Sequence, residues 1–152
     1  MKIESIRLLL IIAALALLLF IALQNISYAN FNFDKPSPKD RIKERQIVVL
    51  EDRIIIFLKN ASLSRYAATK SMDPVIDVNA NGIEIKPKTE KDIAVGDIIA
   101  FERNNKLIVH RVIEIGYDDK GWYCITKGDN ALFDDGKIRF DEIKYITVGI
   151  LY

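Results

Sequence analysis

The chain of 152 residues has one cysteine, Cys124, and one histidine, His110. A single cysteine excludes an intramolecular disulfide and a cysteine-based zinc cluster, and a single histidine excludes a multi-histidine metal site. The formal net charge of +1 gives no strong field that would favour nucleic acid as a partner. The sequence therefore implies no metal, no cofactor and no nucleic acid. If an imidazole acts as an acid or base near neutral pH, it is that of His110. A lone cysteine in an apolar run is expected to be a small buried hydrophobe.

A long apolar run lies near the N-terminus, where residues Leu8 to Leu23 carry no charge. As a helix this run would be about 24 Å long, and flanking residues could extend it towards the roughly 30 Å of a bilayer core. Basic residues before the run place the N-terminus in the cytoplasm. We therefore expect a transmembrane anchor over residues 1–26, with the remainder of the chain on the outer side of the cell membrane. A signal peptide cleaved after Ala29 is the alternative.

The pattern changes twice after the apolar run. Residues 27–45 are a polar spacer in which Ser37 and Pro38 predict the start of a short helix that ends near Arg45. Short apolar runs separated by turn residues then predict a β-rich domain over residues 46–152, mainly β and folded as a partly closed barrel or sandwich. The predicted strands are Ile47–Leu50, Ile54–Leu58, Ile83–Ile85, Ile98–Phe101, Leu107–Ile115, Trp122–Thr126 and Tyr145–Tyr152, with a helical turn over Phe140–Lys144.

The segment Ser71-Met72-Asp73-Pro74 is a candidate nucleophile site. Pro74 favours extended geometry before it, which would leave the hydroxyl and the N–H of Ser71 facing a cleft. An exposed oxygen with a nearby oxyanion donor is what a serine nucleophile needs. An ordinary strand followed by a turn is the alternative interpretation. Lys70 is a poor candidate base because neighbouring strand residues point to opposite faces.

His110 lies in a predicted strand, where alternation places Ile108, Val112 and Glu114 on the same face. Partial desolvation beside apolar side chains tends to keep an imidazole neutral, as a general base requires. A structural histidine bonded to a core carbonyl is the alternative. The Asp-rich loop from Lys127 to Gly136 could then supply a carboxylate that orients the imidazole. The loop also fits a solvated turn, and it lacks the ligand spacing of an EF-hand.

Four motifs follow one another behind the apolar run: Ser71-Met72-Asp73-Pro74, Gly96-Asp97-Ile98-Ile99, His110-Arg111, and Gly128-Asp129-Asn130 with Asp134-Asp135. In this order they resemble the type I signal peptidases, in the archaeal and endoplasmic-reticulum branch that uses histidine where the bacterial enzymes use lysine. The resemblance implies Ser71 as nucleophile, His110 as general base, Asp135 as third catalytic residue and Asp129 as a nearby supporting carboxylate. Ala131, where a second asparagine is common, and the longer stretch Val78 to Lys91 depart from the family pattern.

The resemblance also implies a function, a serine endopeptidase that removes signal peptides with small residues at −1 and −3 from secreted or membrane precursors. The expected partners are these precursors and the lipid bilayer. Three alternatives stay open: a non-catalytic anchored β-domain that binds extended peptides, a self-cleaving or regulatory protease of the same broad fold, and an anchored structural domain.

Overall fold

The computed structural model describes the backbone of residues 2–31 and 35–152, and the side chains of residues 6–22 and 35–152. The chain divides into two compact units, Met1–Asp34 and Lys35–Tyr152. Within the first unit, helix α1 spans Lys2–Phe31 and so extends five residues beyond the predicted end of the anchor at residue 26. Part of the predicted spacer, residues 32–34, lies outside the described residues.

A helix is therefore present where the sequence predicts the anchor. The described parts of the chain, however, contain no helix that combines the length and the apolar character needed to cross a membrane.

The predicted short helix from Ser37 to Arg45 is wrong. Residues 35–43 have no regular secondary structure, and only a 3-10 turn forms, at Glu44–Gln46. The polar groups of this segment bind the β-rich domain instead of one another. The backbone N–H of Lys39 donates to Asp97 Oδ1 at 3.0 Å, and the carbonyl of Pro36 accepts from Arg111 at 3.2 Å. These contacts hold the segment extended against the domain, because a helix needs the same backbone groups for its own hydrogen bonds.

The second unit is built on a seven-stranded sheet in which every strand pair is antiparallel, in the order β3-β4-β9-β5-β6-β7-β8. The mainly β prediction is confirmed. Strands β1 and β2, which correspond to the first two predicted strands, form a separate antiparallel hairpin. The strands are β1 (Ile47–Val49), β2 (Ile54–Ile56), β3 (Ala61–Arg65), β4 (Asn81–Ile85), β5 (Ile98–Arg103), β6 (Lys106–Asp118), β7 (Gly121–Lys127), β8 (Asp134–Ile138) and β9 (Ile143–Leu151).

The main hydrophobic core lies on the faces of the central strands β5, β6, β7 and β9. Phe101, Ile99, Val112 and Ile146 are fully buried there, as is Cys124. Burial raises the pKa of the Cys124 thiol to about 12, so this cysteine is a small core hydrophobe, as expected.

The alternation along β6 breaks in one place. Its pairing with β7 shifts register between Val112 and Glu114. Ile115 consequently packs against the core, while Glu114 is exposed. The prediction that Glu114 shares a face with His110 is therefore wrong, because a one-residue bulge reverses the facing of every residue after it.

Candidate active site

Ser71 begins a tight turn over residues 71–76, and does not end an extended segment as the sequence predicted. The turn is held by hydrogen bonds from the N–H groups of Val75 and Ile76 to the carbonyl of Met72, at 2.9 and 3.0 Å. Met72 and Ile76 are both only 4% exposed and pack in a second apolar cluster with Ile98. Two buried anchors therefore fix the backbone beside Ser71 and leave its hydroxyl at the edge of the cluster.

His110 faces Ser71 from strand β6. The distance between His110 Nε2 and Ser71 Oγ is 3.0 Å, which is hydrogen-bonding distance. The imidazole tilts over the fully buried ring of Phe101, with 6.4 Å between ring centroids. Its position is therefore set by the strand beneath it and by an aromatic neighbour. The structure thus brings the two predicted site residues, Ser71 and His110, into direct contact.

Asp135 completes the chain of contacts on the other side of the imidazole. Its Oδ2 atom lies 2.7 Å from His110 Nδ1. Strand β8 carries a bulge here, because its pairing with β7 shifts register between Ile125 and Lys127 and the next residue, Gly136, has a φ of +70°. A glycine at positive φ in a bulge turns the neighbouring side chain out of simple alternation. The bulge thus aims Asp135 towards the histidine.

The surroundings of Asp135 keep its carboxyl ionised. Burial acts to raise its pKa, but hydrogen bonds from His110 and from Thr126, with the charges of His110 and Arg103, together lower the pKa below its usual value. Thr126 Oγ1 donates to the same Oδ2 atom at 2.8 Å. A carboxylate can only accept, so the proton on the imidazole belongs on Nδ1. Nε2 is then the free acceptor that faces the Ser71 hydroxyl.

Asp129 lies elsewhere and does not contact His110. Its carboxylate makes a two-pronged ion pair with Arg111, whose Nε and Nη2 atoms lie 2.8 and 2.7 Å from the two oxygens. The side chains of Arg111 and Asp129 are 6% and 2% exposed. Asp135, not Asp129, is therefore the carboxylate in line with the imidazole. Asp129 ties strand β6 to the loop after β7.

That loop supports the serine through its backbone. The N–H of Asn130 donates to the Ser71 carbonyl at 2.8 Å, and the Asn130 side chain donates to the Lys70 carbonyl at 3.1 Å. Gly128 passes so close that a Cβ atom there would lie 2.6 Å from the Ser71 carbonyl oxygen and 2.9 Å from His110 Nε2. Only a residue without a side chain fits at position 128 with the serine and histidine in contact.

Sequence reasoning missed Thr69, a second hydroxyl beside the serine. Thr69 Oγ1 lies 3.1 Å from Ser71 Oγ, and the N–H of Ser71 points to the same Thr69 oxygen at 3.4 Å. Thr69 O–H and Ser71 N–H are both donors close to Ser71 Oγ, where they could bind an anionic oxygen of a ligand. Lys70, between them, adopts a φ of +61° and its side chain is exposed, so it lies in a loop and not on a strand face.

Thr126 and Arg103 are the other contributors that the sequence did not indicate. Arg103 donates to the backbone carbonyls of Asp135 and Lys137 and so holds the bulge in place. Strand alternation could have pointed to Thr126, had strand β8 been predicted as its neighbour. Among the described residues, no group of three or more His, Cys, Asp or Glu side chains is arranged to hold a metal ion.

Ser71 and His110 open onto a groove of about 640 Å³. One wall is the segment from Ser64 to Thr69, and the other is the start of β6 from Lys106 to Val109. Residues 106–110 of β6 pair with β5 on one side, while β7 pairs with β6 only from Arg111 onwards. In the described part of the chain, the second edge of this half-strand has no strand partner. Free backbone donors and acceptors therefore flank the groove.

Comparison with known proteins adds no assignment, because no family model, curated protein or solved structure matches this chain.

Proposed function

We propose that this chain is a serine endopeptidase that uses Ser71 as nucleophile, His110 as general base and Asp135 as the group that orients the base. The observation that carries the proposal is the continuous set of contacts from Ser71 Oγ to His110 Nε2 and from His110 Nδ1 to Asp135 Oδ2, at 3.0 and 2.7 Å. Nucleophile, base and orienting group at these distances are the recurring geometry of serine hydrolases on unrelated folds.

The chemistry proceeds in two stages. Nε2 of His110 takes the proton from Ser71 as Oγ attacks the scissile carbonyl carbon, and Asp135 stabilises the imidazolium that results. The N–H of Ser71 and the hydroxyl of Thr69 donate to the developing oxyanion. His110 then gives its proton to the leaving amine. Water, activated by the same nitrogen, hydrolyses the acyl-enzyme and frees Ser71.

The proposed substrate is an extended peptide. The unpaired edge of residues 106–110 beside the groove supports binding by strand addition, in which main-chain hydrogen bonds give affinity and alternate side chains enter pockets. The resemblance to signal peptidases narrows the substrate to the cleavage region of secretory precursors, with small side chains at −1 and −3. The apolar groove residues Met72, Ile76 and Val109 fit this preference.

Two finer features belong to the proposal and rest on the sequence. One is the partly closed form of the sheet domain. The other is a location at the cell membrane, with the N-terminus in the cytoplasm and the catalytic unit outside. A membrane location would confine enzyme and precursor to one surface and so raise their effective concentration.

The first prediction tests the catalytic assignment. Full-length chain is expressed in membranes with a secretory precursor, and cleavage is followed by the shift in precursor size. Ser71→Ala and His110→Ala are each expected to lower the cleavage rate by about 10⁴-fold or more, because each removes a group that acts in the transition state.

Ser37→Ala is the matched control, since Ser37 is an exposed serine far along the chain from the turn at residues 71–76. It is expected to cleave at the wild-type rate. Unchanged processing by both active-site variants would contradict the proposal. Retained binding of the precursor without cleavage by the wild type would instead favour a non-catalytic peptide-binding domain.

A further inference from the structure

Glu84 is a buried acid in the wall of the active-site groove. It lies on β4 opposite Ser62 of β3 and Thr147 of β9, and it is only 2% exposed. It nevertheless lines the same cavity as Ser71 and His110. Acids are rarely buried to this extent without a charged or hydrogen-bonding partner. The chemistry already described makes no use of Glu84.

Several polar atoms around Glu84 lack hydrogen-bond partners, although the Ser64 hydroxyl donates to the Gly82 carbonyl at 3.4 Å. Within the described residues, four buried side-chain atoms have no hydrogen bond, and three of them are Glu84 Oε1, Tyr66 Oη and Thr147 Oγ1. A buried polar group that is left without a hydrogen bond destabilises the fold. Glu84 and Tyr66 both line the cavity, and unsatisfied polar atoms there indicate a place where a ligand supplies the missing partners.

The backbone makes room for this cluster. A Cβ atom at Gly82 would lie 1.9 Å from the Tyr66 hydroxyl and 2.6 Å from Ser64 Oγ. The absence of a side chain at position 82 therefore allows the Tyr66 hydroxyl to reach the wall of the groove beside Ser64. Ser64, Tyr66 and Glu84 all line the cavity that contains the nucleophile.

We propose that Ser64, Tyr66 and Glu84 form a polar subsite that binds a serine or threonine side chain of the substrate peptide. A single hydroxyl can donate to Glu84 and accept from Tyr66, and so satisfies both groups at once. An alanine or valine side chain at the same position would leave both groups unpaired. Sites built from buried hydrogen-bonding groups discriminate strongly against analogues that cannot bond to them.

A neutral hydroxyl fits this subsite better than a lysine ammonium. Burial raises the pKa of Glu84, and the nearby hydroxyl of Ser64 only partly offsets that effect. Burial likewise raises the pKa of Tyr66, so the phenol keeps its proton as a donor. Small hydroxyl side chains also agree with the restricted size of the proposed cleavage positions. The inference takes its substrate class from the proposed endopeptidase function.

Peptide binding to the full-length Ser71→Ala chain in detergent micelles tests the subsite without requiring catalysis. Fluorescent peptides that span a cleavage region are compared in sets, with serine, alanine or valine placed at one position at a time. At one position the serine peptide is expected to bind about tenfold tighter than the alanine peptide, which corresponds to a net gain of about one good hydrogen bond.

Substitutions in the subsite test which residues cause the preference for serine peptides. Added to Ser71→Ala, Glu84→Leu is expected to abolish the preference, while Glu84→Gln, which keeps an acceptor, retains most of it. Tyr66→Phe is expected to reduce the preference to about threefold, because it removes only the donor. Glu114→Leu is the control, since Glu114 is an exposed acid of β6 outside the groove lining, and it should bind like the parent.

Two results would overturn the inference. One is equal binding of serine and alanine peptides at every position. The other is a preference that survives in both Glu84→Leu and Tyr66→Phe, with folding checked by circular dichroism. A wild-type chain that cleaves nothing, while Ser71→Ala shows the preference and loses it in Glu84→Leu, would reject the endopeptidase and keep the subsite.

Discussion

At the scale of single residues, the position of Asp135 depends on a detail of one strand. Its side chain reaches His110 because β8 bulges at Asp135 and Gly136. The hydroxyl of Thr126 and the guanidinium of Arg103 then hold the carboxylate and its backbone. Asp135, the proposed orienting group, is therefore held from two sides. A fixed carboxylate is needed to keep the imidazole in one tautomer.

Asp135→Asn is expected to lower the cleavage rate by about 10⁴-fold while the chain stays folded. An amide can offer its N–H to His110 Nδ1, which favours the wrong tautomer and places a proton on the nitrogen that should act as the base. Single-turnover kinetics on a precursor peptide measure the effect. A loss of less than tenfold would mean that Asp135 does not orient the base.

The pH dependence of folding gives an independent measure of the same carboxylate. In the folded chain the pKa of Asp135 is lowered from 3.8, so its ionised carboxylate stabilises the fold above pH 3.8. This stabilisation is lost as the pH falls through the folded pKa. Asp135→Asn should therefore flatten the loss of stability in acid. Urea unfolding at a series of pH values below about 5 reports the difference.

At the scale of elements, two adjacent residues of strand β6 point to opposite sides and make different contacts. His110 faces the groove, and Arg111 is buried with Asp129 and also donates to the carbonyls of Gly96 and Pro36. The ion pair thus joins β6 to the loop whose backbone supports Ser71. The same ion pair therefore helps to fix the positions of both His110 and Ser71.

Asp129→Asn is expected to destabilise the fold by about 3–5 kcal/mol, because it leaves the buried guanidinium of Arg111 without its counter-charge. The control is Asp52→Asn, which removes a similar aspartate–arginine pair whose side chains are 62% and 63% exposed. Exposed pairs contribute little to stability, because water screens both charges, so this variant should unfold like the wild type. Chemical denaturation of the two variants compares them directly.

The activity of the same variant separates the two aspartates. The folded fraction of Asp129→Asn should cleave within about tenfold of wild type, since Asp129 does not touch His110. A loss as large as that of Asp135→Asn would contradict this division of roles.

The strands that the sequence failed to predict are the two edges of the sheet. Strands β3 and β8 are short and polar, and their central residues include Ser62, Ser64, Asp135 and Gly136. Edge strands need little apolar character because they have a partner on only one side. The central strands were predictable because both of their faces or both of their edges are covered. Such strands need the apolar runs that a sequence pattern detects. Because β8 was not predicted, only the family resemblance favoured Asp135 over Asp129 as the partner of His110.

The contact between Ser71 and His110 was predictable in kind, because the chain has a single histidine and the segment at Ser71 resembles a nucleophile motif. The supporting contacts were not. Thr69, Thr126 and Arg103 act through tertiary contacts with no local sequence pattern. The extended segment at residues 35–43 likewise overrides a good helix-start pattern at Ser37 and Pro38, because Asp97 and Arg111 bind its backbone.

At the scale of the whole molecule, the segment before strand β1 belongs to the same compact unit as the sheet. Asp97 is fully buried, and it accepts hydrogen bonds from Arg41, from the N–H of Lys39 and from the N–H of Ala94. The boundary at residue 35 therefore coincides with the point where these contacts begin.

Two fragments test this boundary. Residues 35–152 should fold with a single cooperative urea transition. Residues 42–152 should be less stable by about 3–5 kcal/mol, because Asp97 then loses the Arg41 charge and the Lys39 donor. Equal stabilities of the two fragments would show that the segment is not part of the folded unit.

Gly128 has a consequence for sorting related sequences. A methyl group at this position would press on both the Ser71 carbonyl and the His110 base, although Ser71, His110 and Asp135 would all still be present. Under the proposed function, a homologue that keeps Ser71, His110 and Asp135 but has a larger residue here would bind peptides without cutting them. Residue 128 is thus the first position to check when homologues that cleave peptides are to be distinguished from homologues that do not.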